Sequence, residues 1–257
     1  MPIRDIVRKA TWTAVYLLFI LAPLFALLAG AMPPSRSFGT EFSVALGYSG
    51  LAIMGLQFGL TARFRHVTEP WGEDVFHLRV SLFPVVLVVL HPTILSVTGS
   101  INLALPDPIW ALPLGAVFAG ISLVSLLVLV VTALWRTRLK LSYQAWHLSH
   151  IVLAVTAITT GRLHRVAWGF YLEDPWKRGL WMGMAAFWMV LLLYVRLIKP
   201  LFMLRRPYRI VDVRQERGDT LTLAMQPEGH AGFRFTPGQF GWLTLWGSPF
   251  KITWHPF

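Results

Sequence analysis

Four of the eight histidines in this chain repeat one spacing: His77 and His91 are fourteen residues apart, and so are His150 and His164. At about 3.6 residues per turn, fourteen residues make roughly 3.9 turns, so each pair sits nearly on one helix face, about 21 Å apart along the axis. Two helices that each present an imidazole at two depths offer two bis-histidine sites, the arrangement that holds two b-type haems in an electron-conducting membrane protein. The chemistry this implies is one-electron transfer across a bilayer. A lone histidine in such a helix is as readily explained by packing, with its ring bonded to a backbone carbonyl. A matched quartet is not, because ionisable residues within spanning segments are rare and usually functional.

The elements that must position these residues are apolar. Hydrophobic residues make up 55% of the chain and charged residues only 14%, against about a quarter charged in an ordinary soluble domain. Six stretches are long enough to span a bilayer, at 12–31, 43–62, 75–95, 109–135, 144–163 and 179–199, each near or above the ~20 residues required. The expected fold is an all-α transmembrane six-helix bundle followed by the start of an antiparallel β-barrel. An even number of spans puts both termini on one side. Helices three and five then begin on the same side, so His77 matches His150 in depth and His91 matches His164. The first stretch follows Arg4, Arg8 and Lys9 with no small-residue cleavage pattern, so it is expected to stay as an anchor helix.

The net charge of +11 is no nucleic-acid footprint, since the basic residues flank helix ends and have no soluble face on which to form a groove. Arg4, Arg8 and Lys9, then Arg63 and Arg65, then Arg136, Arg138 and Lys140, then Lys199, Arg205, Arg206 and Arg209 all fall on one side. The positive-inside rule makes that side cytoplasmic. The last outer loop, with Arg162, Arg165, Lys177 and Arg178 against Glu173 and Asp174, is a partial exception. The expected location is a bacterial inner membrane, multi-pass, with both termini in the cytoplasm. There is no cysteine, which excludes disulfides, iron–sulfur ligation and the covalent attachment of a c-type haem.

Around the quartet, His147 rivals His150, but its seventeen-residue spacing to His164 makes about 4.7 turns and rotates the two off a common face. His150 is therefore the expected ligand. His66 and His230 read as solvated. Arg79 near His77, and Arg162 and Arg165 beside His164, are placed either to pair with haem propionates or to snorkel as topology anchors; the propionate role is weighted to Arg79 and Arg162. Pro84 is expected to bend helix three between its two histidines. The Trp residues near helix ends, such as Trp71, Trp110, Trp146, Trp168 and Trp176, read as an interfacial belt.

Beyond Pro200 the long apolar runs give way to short alternating segments. Strands are expected at Tyr208–Arg214 and Thr220–Met225, joined by a turn at Arg217-Gly218-Asp219, with further strands at Gln239–Trp246 and Lys251–Trp254. The expected domains are 1–200, holding two haems, and 201–257, the first part of a barrel that needs more strands than this segment supplies.

The histidine pairs, the run L-S-Y-Q-A-W-H-L-S-H at Leu141–His150, and the tail F-T-P-G-Q-F-G-W-L at Phe235–Leu243 with H-P-F at the end resemble the ferric reductase-like transmembrane family, which includes the NADPH oxidases and the haem subunit of a bacterial methionine sulfoxide reductase system. That resemblance implies two haem b held by His77, His91, His150 and His164. It also implies a flavin-binding barrel in which Pro237, Gly238, Gln239 and Phe240 form an early strand and His255, Pro256 and Phe257 contact FAD. NAD(P)H would then reduce the flavin on the cytoplasmic side, and electrons would leave at the outer side for a ferric chelate, oxygen, a quinone or a protein. The chain departs from the family pattern in three ways. It shows no G-x-G-x-x-G nicotinamide fingerprint, and the Ser or Thr after H-P-F and the rest of the barrel are missing, as in a truncated product. Leu95 stands where dedicated oxidases carry a further histidine. No arginine lies in the outer half of helix two. The last two point away from efficient oxygen reduction. The enzyme reading, an oxidoreductase, thus depends on an NAD(P)H-binding domain or a separate flavin reductase. The alternatives are a non-catalytic haem-binding subunit serving such a partner, and a haem-free transporter or scaffold.

Overall fold

A computed structural model of the chain describes residues 3–30, 36–62, 73–102, 104, 106, 108–218, 220–235, 242–243, 248, 250 and 255–256. It is mostly helical and divides into two compact units, residues 1–191 and 192–257.

The first unit is built from six long helices: α1 (Ile3–Leu28), α2 (Phe38–Thr61), α3 (Glu73–Val97), α4 (Leu114–Leu134), α5 (Tyr143–Trp168) and α6 (Pro175–Leu193). Five of the helices, all but α5, are long and apolar enough to cross a membrane. The chain is an integral membrane protein. Helix α5 misses that measure because it carries the polar and charged residues of the site, among them His147, His150, Arg162, His164 and Arg165. Large apolar side chains point outward, as lipid contact requires: on α3 these include Leu78, Leu82, Phe83, Val86 and Leu90.

Local chemistry sets the helix ends. Ser37 and Ser142 cap α2 and α5, each accepting a hydrogen bond at its side-chain oxygen from a backbone N–H three residues on, Thr40 at 3.3 Å and Ala145 at 3.2 Å, which satisfies one of the orphan donors of a first turn. Helix α5 stops at Gly169, whose φ of 73° suits a residue without a Cβ. The fourth apolar stretch does not start its helix at 109. Residues Ile109–Ala111 form a single tight turn, and α4 begins only after Pro113, because proline cannot donate to a helix interior. Helix α3 continues through both Pro84 and Pro92.

Helix α2 lies along α3, and α4 along α5, with α1 and α5 also against α2. Glycine permits the central contact between α2 and α5: a Cβ on Gly161 would stand 2.6 Å from a Leu51 methyl and 2.9 Å from the Ser122 hydroxyl. That hydroxyl donates to the Ala157 carbonyl at 2.7 Å, tying α4 to α5. The core gathers Val44, Tyr48, Leu51 and Met54 of α2 with Leu126, Ala157, Ile158, Leu172 and Trp181. Helices α3 and α5, which carry the histidines, make little direct backbone approach to each other.

The second unit begins with a wide helical turn, Tyr194–Ile198, and α7 (Lys199–Leu204), followed by β1 (Tyr208–Gln215) and β2 (Leu221–Pro227). These two strands pair antiparallel, with Tyr208 opposite Pro227 and Gln215 opposite Leu221, and an irregularity between Ile210 and Asp212. They match the first expected hairpin to within two residues at each end. A second short pair joins β3 (Trp242–Leu243) to β4 (His255–Pro256), also antiparallel. Among the described residues the sheet order is β1-β2 and, separately, β3-β4. The expected segment Pro237–Phe240, the strand at Lys251–Trp254, and Phe257 lie outside the described residues.

Candidate functional site

The two helix faces bring the four histidines together in level-matched pairs. The rings of His77 and His150 have centroids 6.5 Å apart with an interplanar angle of 74°, and those of His91 and His164 are 6.4 Å apart at 69°. Because His77 meets His150 and His91 meets His164, α3 and α5 run in the same direction. Only side chains span the gap between them at these two levels.

Three of the four rings are held through Nδ1. His91 Nδ1–H donates to the Ser43 carbonyl at 2.8 Å, with the Ser43 hydroxyl 3.0 Å away, and that hydroxyl itself donates to the His91 carbonyl at 2.7 Å. His164 Nδ1–H donates to the Gly115 carbonyl at 2.8 Å. His77 Nδ1 faces the Gln57 side-chain oxygen at 2.7 Å. His150 differs, with a buried Nδ1 that has no partner among the described residues. An imidazole that donates from Nδ1 is fixed as the tautomer whose lone pair is on Nε2, the second-shell pattern of metal-ligating histidines. Gly47 makes room for His91: a Cβ there would lie 3.2 Å from the ring.

These features can be tested against a haem iron. Two metal–imidazole bonds of about 2.0–2.1 Å, with roughly 1.2 Å from each nitrogen to its ring centre, put the ring centroids roughly 6.4 Å apart. The observed separations agree at both levels. Among the described residues no group of three or more His, Cys, Asp or Glu side chains comes together to hold a metal ion. Two axial donors per level suit a metal whose other positions a macrocycle fills. The donor set fits haem.

His147 stands beside Tyr143 and Trp146, with ring centroids 5.6 and 6.2 Å away, while His150 is the residue that faces His77. Arg79 is exposed, and two residues along a helix from His77 it does not share that residue's face. Arg162 is 5% exposed: it donates to the Trp181 carbonyl at 3.2 Å, lies 4.6 Å over the Trp181 ring, and keeps Nε and Nη2 buried without acceptors among the described residues. Arg165 is as buried as Arg162, donates to Tyr48 Oη and the Phe170 carbonyl, and lies 4.3 Å over the Tyr48 ring. His255 and Pro256 lie in β4, paired with Leu243 and Trp242.

Sequence reasoning did not find Gln57, Ser43 or Gly115. Gln57 alone left a signal, an amide within an apolar span. The other two act at His91 and His164 through backbone carbonyls, which no side-chain pattern reports. Arg165, weighted below Arg162 and Arg79 for the propionate role, is the arginine that joins α5 to Tyr48 of α2.

Fold and site together define a helical integral membrane protein with two stacked bis-histidine levels. Residues 46–161 match the family model of the ferric reductase like transmembrane component, the family the sequence resembles. The matched segment includes His77, His91 and His150 and ends three residues before His164. No curated protein and no solved structure matches the chain.

Proposed function

We propose that this protein conducts electrons across a bilayer from a cytoplasmic NAD(P)H/FAD donor to an acceptor on the outer side, with haem b held by His77 and His150 at the inner level and by His91 and His164 at the outer. The observation that carries this reading is the pair of imidazole separations, 6.5 and 6.4 Å, each the width of a bis-histidine iron site. The family match over residues 46–161 supports it. When bound, haem would supply a one-electron couple, held by these four imidazoles.

The chain's own residues supply position. Ser43, Gly115 and Gln57 accept the Nδ1 protons and turn three Nε2 lone pairs into the gap between α3 and α5. Arg162 is assigned to a propionate, favoured by Nε and Nη2, which are buried and have no partner among the described residues; Arg79, exposed and off the His77 face, is the weaker candidate.

Residues 1–200 form the dihaem domain in this reading. Residues 201–257 supply the first strands of a flavin-binding barrel, in which His255, Pro256 and Phe257 contact FAD; the pairing of Trp242–Leu243 with His255–Pro256 supports that arrangement. The hydride donor acts through a nicotinamide domain of the same protein or through a separate flavin reductase, and the whole works as an oxidoreductase of ferric reductase type. The acceptor is a ferric chelate, oxygen, a quinone or a protein. The basic helix flanks support a cytoplasmic side for both termini in a bacterial inner membrane.

The test is a reduced-minus-oxidised absorption spectrum of the detergent-purified chain, with haem counted by pyridine haemochrome. About two b-type haems per chain are expected, and about one each in His91→Ala and His150→Ala. A well-folded preparation without a Soret band would end this reading and leave a transporter or scaffold.

A further inference from the structure

Buried charge is not shared evenly between the two histidine levels. Arg162, Arg165 and Lys177 are 5%, 6% and 3% exposed. Lys177 has Asp174 at 3.1 Å, but among the described residues neither arginine has a carboxylate partner. Arg165 follows His164 directly in the chain, and its guanidinium is anchored on the hydroxyl of Tyr48. Tyr48 follows Gly47, the residue against which the His91 ring rests. A buried cation is thus anchored next in sequence to His164 and on Tyr48, whose neighbour Gly47 packs against His91. At the other level, among the described residues, the cation nearest by contact is the half-buried Arg136, which lies 5.6 Å over the Trp146 ring that packs on His150.

A positive charge buried beside a redox group favours its reduced form, because the added electron is attracted and neither solvent nor salt screens the pair well. Building on the dihaem reading, we propose that Arg165 raises the reduction potential at the His91–His164 level and so makes electron flow toward that level downhill. The step is a plain electron exchange. The group held by His77 and His150 is oxidised by one electron, the group held by His91 and His164 is reduced by one, and no bond forms or breaks. Arg165 acts through the field it imposes and is a tuning residue.

The experiment is a potentiometric titration of the purified full chain, read in the haem absorption bands, for wild type, Arg165→Gln and Arg165→Lys. His91→Ala, which keeps only the other level, assigns the two midpoints. In wild type the His91–His164 midpoint is the higher of the two. Arg165→Gln lowers it by on the order of tenfold in the equilibrium between the levels, about 59 mV for one electron, and leaves the His77–His150 midpoint in place. Arg165→Lys keeps the charge and stays near wild type, whereas a packing role would be damaged by both substitutions. Unchanged midpoints in Arg165→Gln with two haems present, or a wild-type His91–His164 midpoint below the other, would overturn the inference while the dihaem reading stands. Absence of haem from wild type would remove both.

Discussion

At the His91–His164 level both imidazoles lean on backbone carbonyls, those of Ser43 and Gly115. At the His77–His150 level one ring leans on a side chain, Gln57, and the other has a buried Nδ1 with no acceptor among the described residues. Backbone carbonyls belong to helices whose positions are set by whole-helix packing. A side-chain amide is positioned by three torsions. The first level is therefore built rigidly by the fold, while the second depends on residues that a single substitution removes, and the two should respond to mutation in different ways.

The largest expected effect breaks the rigid level sterically. In Gly47→Val a Cβ lies 3.2 Å from the His91 ring before its two methyls are added, and α2 and α3 are too closely packed for the ring to retreat. Haem content should fall from about two to about one per chain, the loss assigned to the His91–His164 level by comparison with His91→Ala. Retention of both haems would show that His91 turns freely and that its carbonyl bond does not fix it.

Next in size is the removable support. Gln57→Leu takes away the acceptor of His77 Nδ1 and keeps the apolar volume, so haem at the His77–His150 level should bind some 10–100-fold more weakly, the usual cost of losing a second-shell partner. Titration of the apoprotein with haemin measures it. Equal weakening at both levels would end the contrast drawn here.

The same contrast explains what the sequence disclosed. The histidine quartet was legible because the 3.6-residue period turns a spacing of fourteen into one face, and the strand alternation at Tyr208–Gln215 was legible because period two is equally local. Gly47 and Gly161 passed unnoticed, since the need for a missing Cβ is visible only once a second helix stands against it. Arg162 and Arg165 sit three residues apart on one helix, yet the first turns to Trp181 and the second to Tyr48, and no spacing rule distinguishes those neighbours. The α4 start at Leu114 is a case where Pro113 outweighs the apolar composition that runs on from residue 109.

Packing between the halves of the first unit gives a third effect. Gly161→Ala puts a methyl 2.6 Å from Leu51 and 2.9 Å from the Ser122 hydroxyl, where α2, α4 and α5 meet. Overpacking there should cost about 1–3 kcal/mol, seen as a lower midpoint of thermal unfolding in detergent, with both haems still present below that temperature. A selective loss of haem at one level would mean that the contact serves the site more than the bundle.

The smallest effect separates backbone from side chain within a single residue. Ser43 is fully buried, and its carbonyl accepts from His91 Nδ1 while its hydroxyl donates to the His91 carbonyl. Ser43→Ala removes the second bond and keeps the first. If the carbonyl holds the imidazole, haem content and the His91–His164 midpoint stay as in wild type and stability falls by about 1 kcal/mol for the lost hydrogen bond. If haem is lost, the hydroxyl, 3.0 Å from Nδ1, is the group that orients the ring. The His91–His164 level would then rest on a removable side chain just as the other does with Gln57.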